Sequence, residues 1–298
     1  MGAIYTPEAT TFRVFSPESD SVQLVLYSEP HLGNEREVHN LEAAGSGVWA
    51  LTIEGDLHGR FYRIRPRSAD PHTGREVVDP YSRLNTGHDG HGMIADLRRF
   101  EPDGFRPINR PGTFKEPTDA VIWEMHVRDF TISPASGVPE ELRGKYLGAA
   151  QRGTRIPDTD ITTCIDHLVD LGVTHVQLLP LQDFDNDEFS DQYSWGYMPV
   201  NFFSPEGWYA SNIRDGSRVT ETKAMIKAFH DAGIRVVLDV VFNHTAPVAP
   251  FEVIAPRYYH RRRNDGSFWN GSGCGNEFRS EAPMARKLIV DACRHWVE

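Results

Sequence analysis

The residues best placed to do chemistry form the stretch Asp239-Val-Val-Phe-Asn243-His244-Thr245, where an acid, an amide and an imidazole follow one another at the end of an apolar run, 234–242. A parallel strand delivers such a cluster at its C-terminal mouth, the place where (β/α) barrels build their active-site loops. Taken alone, the stretch reads equally well as a buried acid and a satisfied core histidine. A second polar group, Asp183, Asp185, Asp187 and Glu188, follows another apolar run, 173–180. Closeness in sequence does not make a calcium site, because that ion needs six or more oxygens converging on one point, so this loop reads as solvated. His88 and His91 stand three apart in a glycine-rich loop without the carboxylates of a ligand set. Trp49 reads as a core residue of an alternating strand. No metal and no cofactor is expected from these residues.

These residues must be held by elements of two kinds. Between residues 11 and 65 the pattern is short β-rich runs, 12–15, 22–27, 48–53 and 61–64, separated by turn signals such as Ser16-Pro17-Glu18 and Gly45-Ser46-Gly47. That spacing predicts a small immunoglobulin-like β-sandwich. The Pro/Gly-rich stretch 101–117 reads as a linker. Beyond it, strand and helix patterns alternate: apolar runs at 120–127, 173–180 and 234–242 are interleaved with a helix capped by Asp160 carrying Ile161, Ile165 and Leu168, and with another from about Thr220 to Gly233. These are βα units on a parallel sheet. The predicted organisation is therefore a β-sandwich over 1–100, a linker over 101–118 and part of an α/β (TIM) barrel over 119–298.

A final helix begins near Ser280, with Pro283 in its first turn and an apolar stripe of Ala285, Leu288, Ile289, Ala292 and Trp296, and shows no stop signal before Glu298. About 180 residues and three strands fall short of the ~250 residues and eight strands of a complete barrel. The sequence-level expectation is a barrel truncated after its third βα unit.

Composition narrows the function. A formal charge of −11 disfavours nucleic acid or an anionic membrane as partner, since either demands a basic face. The cluster 261–263, three arginines beside Tyr258, Tyr259 and His260, is read as a solvated loop. No apolar run approaches the ~20 residues of a membrane span. Cys164, Cys274 and Cys293 are too few and scattered for a disulfide framework or a zinc site, and no export signal opens the chain, so a cytoplasmic location is expected.

Four ordered segments carry a resemblance. Asp239–Thr245 resembles the first signature region of the α-amylase superfamily, glycoside hydrolase family 13. Trp123-Glu-Met-His-Val-Arg-Asp-Phe130 resembles the first barrel strand of pullulanases and isoamylases. Tyr193-Ser-Trp-Gly-Tyr-Met-Pro199 resembles the Tyr-Asn-Trp-Gly-Tyr-Asp-Pro signature of type I pullulanases, with Ser194 and Met198 replacing its Asn and Asp. The stretch from Tyr258 through Gly275-Asn276-Glu277 to Glu298 is similar to the approach to that group's fourth strand. Residues 1–100, with Val48-Trp49 and Asp79-Pro80-Tyr81, resemble a carbohydrate-binding module of family 48.

The resemblance implies an α-glucan as partner and hydrolysis of α-1,6 branch linkages in pullulan, starch or glycogen. Its mechanism is retaining, with two carboxyl groups ~5–5.5 Å apart. The family's nucleophile and acid come from later strands, so no catalytic carboxylate is expected before Glu298 and the fragment itself is expected to be inactive. The resemblance further implies that Tyr197, Trp195 and His244 bind the sugar, while Asp239 and Asn243 support them. The alternatives are a non-catalytic glucan-binding protein and a glycogen-branching enzyme. Oligomeric state is left open.

Overall fold

The computed structural model describes residues 1–30, 36–87, 90–106, 111–112 and 115–298. Among these, eight short strands build two antiparallel sheets. One joins β1 (Gly2–Tyr5), β2 (Ala9–Phe15), β6 (Val48–Glu54) and β5 (Glu42–Ala43) in the order β1-β2-β6-β5. The other joins β4 (Arg36–Asn40), β3 (Ser21–Tyr27), β7 (Phe61–Arg67) and β8 (Gly92–Met93) in the order β4-β3-β7-β8. Alternation along the strands sends Phe12 and Val14 from the first sheet, and Val22, Leu24, Leu26, Tyr62 and Ile64 from the second, into one buried layer. The four runs read as strands in the sequence are β2, β3, β6 and β7. Trp49 packs against this core and its indole N–H donates to the Ser16 carbonyl at 3.0 Å, the structural role its pattern suggested.

The sandwich core does not stop at the sandwich. Phe202, Phe203, Phe251, Tyr259, Phe278 and Leu288 belong to the same buried cluster, so the two parts of the chain share an apolar contact. Asn201 ties them by polar contacts too, donating to the carbonyls of Asp79 at 3.2 Å and Pro80 at 3.4 Å.

The second part carries a three-stranded parallel sheet, β11-β10-β9, made of β9 (Ile122–Met125), β10 (His175–Leu178) and β11 (Arg235–Leu238). Around it lie α1 (Val127–Thr131), α2 (Tyr146–Ala149), α3 (Cys164–Asp170), α4 (Ser217–Asp231), α5 (Phe251–Ile254) and α6 (Pro283–Val297). Met125, Val176 and Leu178 face the helices and are buried with Leu168, Met225 and Phe229. The opposite face is open: Ile122 is 57% exposed and Val237 40%. The run 120–127 is therefore not the fully buried strand its hydrophobicity suggests, because nothing covers that face among the described residues. None of the described helices is long and apolar enough to cross a membrane.

Two helix starts also differ from the sequence pattern. Asp160 is no N-cap: residues 155 and 162 form an antiparallel bridge, the Asp160 carbonyl accepts from Arg155, and the helix begins only at Cys164. Ile161 consequently lies outside it, 57% exposed. The last helix starts at Pro283, where the missing N–H costs nothing in a first turn, and not at Ser280.

Candidate functional site

Because β9, β10 and β11 run in parallel, the residues that follow each strand emerge at one edge of the sheet. After β9 come His126 and Asp129, after β10 the long segment 179–216, and after β11 Asp239, Asn243 and His244. Hydrogen bonds knit the three groups together. The Tyr197 hydroxyl donates to Asp239 Oδ2 at 2.9 Å. His244 Nε2 lies 2.7 Å from the Tyr197 carbonyl oxygen, and its Nδ1 3.2 Å from Asn243 Oδ1. The Tyr193 hydroxyl donates to Asp129 Oδ2 at 2.7 Å. His126 Nε2 sits 2.9 Å from the Ser194 carbonyl and 3.0 Å from the Tyr209 hydroxyl.

This brings all five residues singled out in the sequence to one place. Trp195 presents its indole to solvent, 64% exposed, while Tyr197 is half-buried and Asn243 exposed. His244 is buried, and its imidazole is engaged on both nitrogens by protein oxygens, so it orients the Tyr197 backbone. Partial burial, and then the Asp239 hydrogen bond, push the Tyr197 phenol up to about 12, which keeps it a proton donor at any physiological pH. Gly196 makes the sharp passage between the two aromatics possible. Its φ is +84°, and a Cβ there would stand 2.9 Å from the Pro180 carbonyl oxygen and 3.1 Å from the Phe184 ring.

Sequence reading missed the groups that aim this loop. His126 and Asp129 lie in the run Trp123–Phe130, but nothing in their spacing announces that they hold Ser194 and Tyr193 sixty-odd residues away. Burial lowers the His126 pKa, so a neutral ring with its proton on Nε2 donates to Ser194.

The acidic loop behaves differently from the solvated reading. Asp183 and Glu188 are buried around the fully buried Arg218, whose guanidinium contacts Glu188 at 3.0 Å and Asp183 at 3.5 Å. Glu206 joins them, with carboxylate oxygens of the three acids within 4.8 Å of one another. Burial, then the charges of Glu188 and Asp183, push the Glu206 carboxyl well above the usual carboxylate range. Arg218 offsets part of this charge and the Asn85 amide donates to Asp183 Oδ2 at 2.8 Å, so the cluster forms a buried base for segment 183–206. His88 lies outside the described residues, and His91 is buried with its ring 4.5 Å from that of Tyr27.

A cavity of about 770 Å³ lies elsewhere: Val219 and Ile226 of α4, Val236 and Leu238 of β11, and Trp296 of α6 make it largely apolar. It holds none of the five residues at the strand edge.

Residues 1–82 match the family model described as carbohydrate-binding module 48, the isoamylase N-terminal domain. Over the whole chain the sequence is 38% identical to pullulanase of Bacillus subtilis (strain 168) and 33% identical to the chloroplastic isoamylase 1 of Oryza sativa subsp. japonica, covering 40% of each. The structure superposes over its full length on 46% of the pullulanase from Paenibacillus barengoltzii in complex with maltohexaose and α-cyclodextrin, with a TM-score of 0.94 and 38% identity. Along its whole length the chain is similar to pullulanases and isoamylases. It spans less than half the length of the relatives it matches, and that portion comprises the module-like sandwich and the parallel-stranded region bearing Tyr197, Asp239 and His244.

Proposed function

We propose that this chain supplies the glucan-binding and positioning part of an α-1,6-debranching glycosidase of pullulan, starch or glycogen. The observation that carries the reading is the convergence of Trp195, Tyr197 and His244 at one strand edge, held by Asp239, in a chain 38% identical to a pullulanase. Aromatic faces suit the apolar face of a glucose ring, and His244, through the Tyr197 backbone, fixes where the phenol meets it. On this reading the three parallel strands are an arc of a (β/α)₈ barrel, the sandwich over residues 1–100 is a carbohydrate-binding module, and 101–118 links the two.

The bond-breaking pair of a retaining mechanism is proposed to come from chain beyond these 298 residues. The carboxylates nearest the aromatic loop serve it instead: Asp239 accepts from Tyr197 and Asp129 from Tyr193. The 298-residue chain alone then binds α-glucan without cleaving it. Incubating it with pullulan and assaying reducing ends tests this directly; release above background contradicts it. A non-catalytic binding role has one observation of its own, the match of residues 1–82 to a carbohydrate-binding module. Starch retention lost on deleting the sandwich, with the strand-edge residues irrelevant, would favour that second reading.

A further inference from the structure

A second aromatic stands apart from Tyr197 and Trp195, on the excursion between β11 and α6. Residues 260 and 278, and 262 and 268, pair as isolated antiparallel bridges, so the segment doubles back on itself as a hairpin. Its base is fastened to the residues flanking His244. Phe278 N donates to the Asn243 carbonyl at 2.9 Å, and the Asn276 side chain bonds Thr245 on both sides, accepting from its N–H at 3.0 Å and donating to its carbonyl at 2.8 Å. Near the tip, Trp269 is 50% exposed.

A single exposed aromatic means little by itself. This one is built in. Trp269 N donates to the Arg261 carbonyl at 2.9 Å, and the Arg263 guanidinium lies 5.5 Å from the centre of the indole. The adjoining Phe268 is covered in the same way by Arg262 at 4.2 Å. The indole edge rests over Gly271, where a Cβ would stand 3.3 Å from Trp269 Nε1 and 2.7 Å from Glu277 Oε2. The carboxylate of Glu277, ion-paired with Arg261 at 3.2 Å, thus borders the ring. The indole N–H is the telling atom. Those of Trp49, Trp208 and Trp296 each donate to a backbone carbonyl, at 3.0, 2.8 and 2.8 Å, whereas that of Trp269 makes no hydrogen bond among the described residues.

We infer that Trp269 is a second stacking platform for a glucose unit of an α-glucan, with its indole N–H and the Glu277 carboxylate bonding the sugar hydroxyls. The inference rests on the reading of this chain as a glucan binder and adds a site which that reading does not use. A flat ring edged by a carboxylate and an open donor is the chemistry that recognises a sugar's apolar face and hydroxyl rim together. Since the hairpin is bound to Asn243 and Thr245, occupation of this platform and of the Tyr197 site by one long glucan is the natural outcome, and affinity then rises with chain length.

The test is a titration of the 298-residue chain, labelled with ¹⁵N at its indoles, with maltohexaose and with maltose. The six indole signals are assigned by single Trp→Phe variants. The Trp269 and Trp195 signals both move with maltohexaose, and Trp269→Ala weakens its binding roughly three- to tenfold while leaving maltose binding at the Trp195 site unchanged. Movement of Trp195 with a motionless Trp269 overturns this inference and leaves the glucan-binding reading standing. If neither signal moves, both fall. Dispersed signals from Trp49, Trp208 and Trp296 in the variant establish that it is folded.

Discussion

Asp239, at the end of β11, accepts the hydroxyl proton of Tyr197 at 2.9 Å across 42 residues of sequence. The aromatic proposed to meet the sugar is therefore aimed by a carboxylate. Asp239→Ala removes the acceptor and lets the ring swing, and we predict a maltotriose affinity lowered about three- to tenfold, whereas Asp239→Asn keeps an acceptor oxygen and stays within about twofold of the original. Calorimetric titration of both variants checks this. Equal losses would point to charge and not to positioning.

The buried arginine gives a stability prediction. Arg218→Met removes the buried cation that lies against Asp183 and Glu188, which costs about 3–5 kcal/mol. Glu206→Gln keeps the shape of the side chain and removes its titration, and so isolates the effect of the raised carboxyl. Its sign with pH is also fixed. The Glu206 carboxyl is raised in the folded state, so the original chain loses stability as pH rises from the unfolded carboxyl's range towards the folded one; Glu206→Gln flattens that decline. Denaturant melts from pH 4 to pH 8 measure it. A steeper decline in the variant would show that Glu206 is ionised.

Acid acts through His295. Burial, and then the charge of Arg83, lower its pKa to about 4, while Nε2 donates to the Phe203 carbonyl at 3.0 Å. As pH falls through the ordinary histidine value of ~6.5, the unfolded chain takes up a proton that the folded chain refuses. Stability therefore falls from there down to the folded value, by at most about 3 kcal/mol. His295→Gln, whose amide can still donate to Phe203, should recover much of that loss, as read from thermal midpoints at pH 7 and pH 4.5. Identical pH slopes in the two chains would rule His295 out.

How far the sequence carried depends on the range of the interaction concerned. Runs 12–15, 22–27, 48–53 and 61–64 are strands because alternation is a local property, and β10 and β11 were equally plain. Asp160 misled because a cap is chosen by the preceding backbone, and the bridge between 155 and 162 delayed the helix. The site residues Trp195, Tyr197, Asp239, Asn243 and His244 were legible as motifs. Their mutual contacts were not, since the Tyr197–Asp239 bond is a product of parallel strand order. The acidic loop was misread for the same reason: Arg218, which draws Asp183 and Glu188 inside, lies 35 and 30 residues further on. Nothing short of the fold puts it there.

In the proposed function, the edge formed by β9, β10 and β11 binds α-glucan through Tyr197 and Trp195. Titrating the 298-residue chain with maltohexaose, beside its Tyr197→Ala variant, tests it most directly. Saturable binding is expected, weakened at least about tenfold by the substitution. Binding that is absent, or that survives the loss of Tyr197 unchanged, would contradict it.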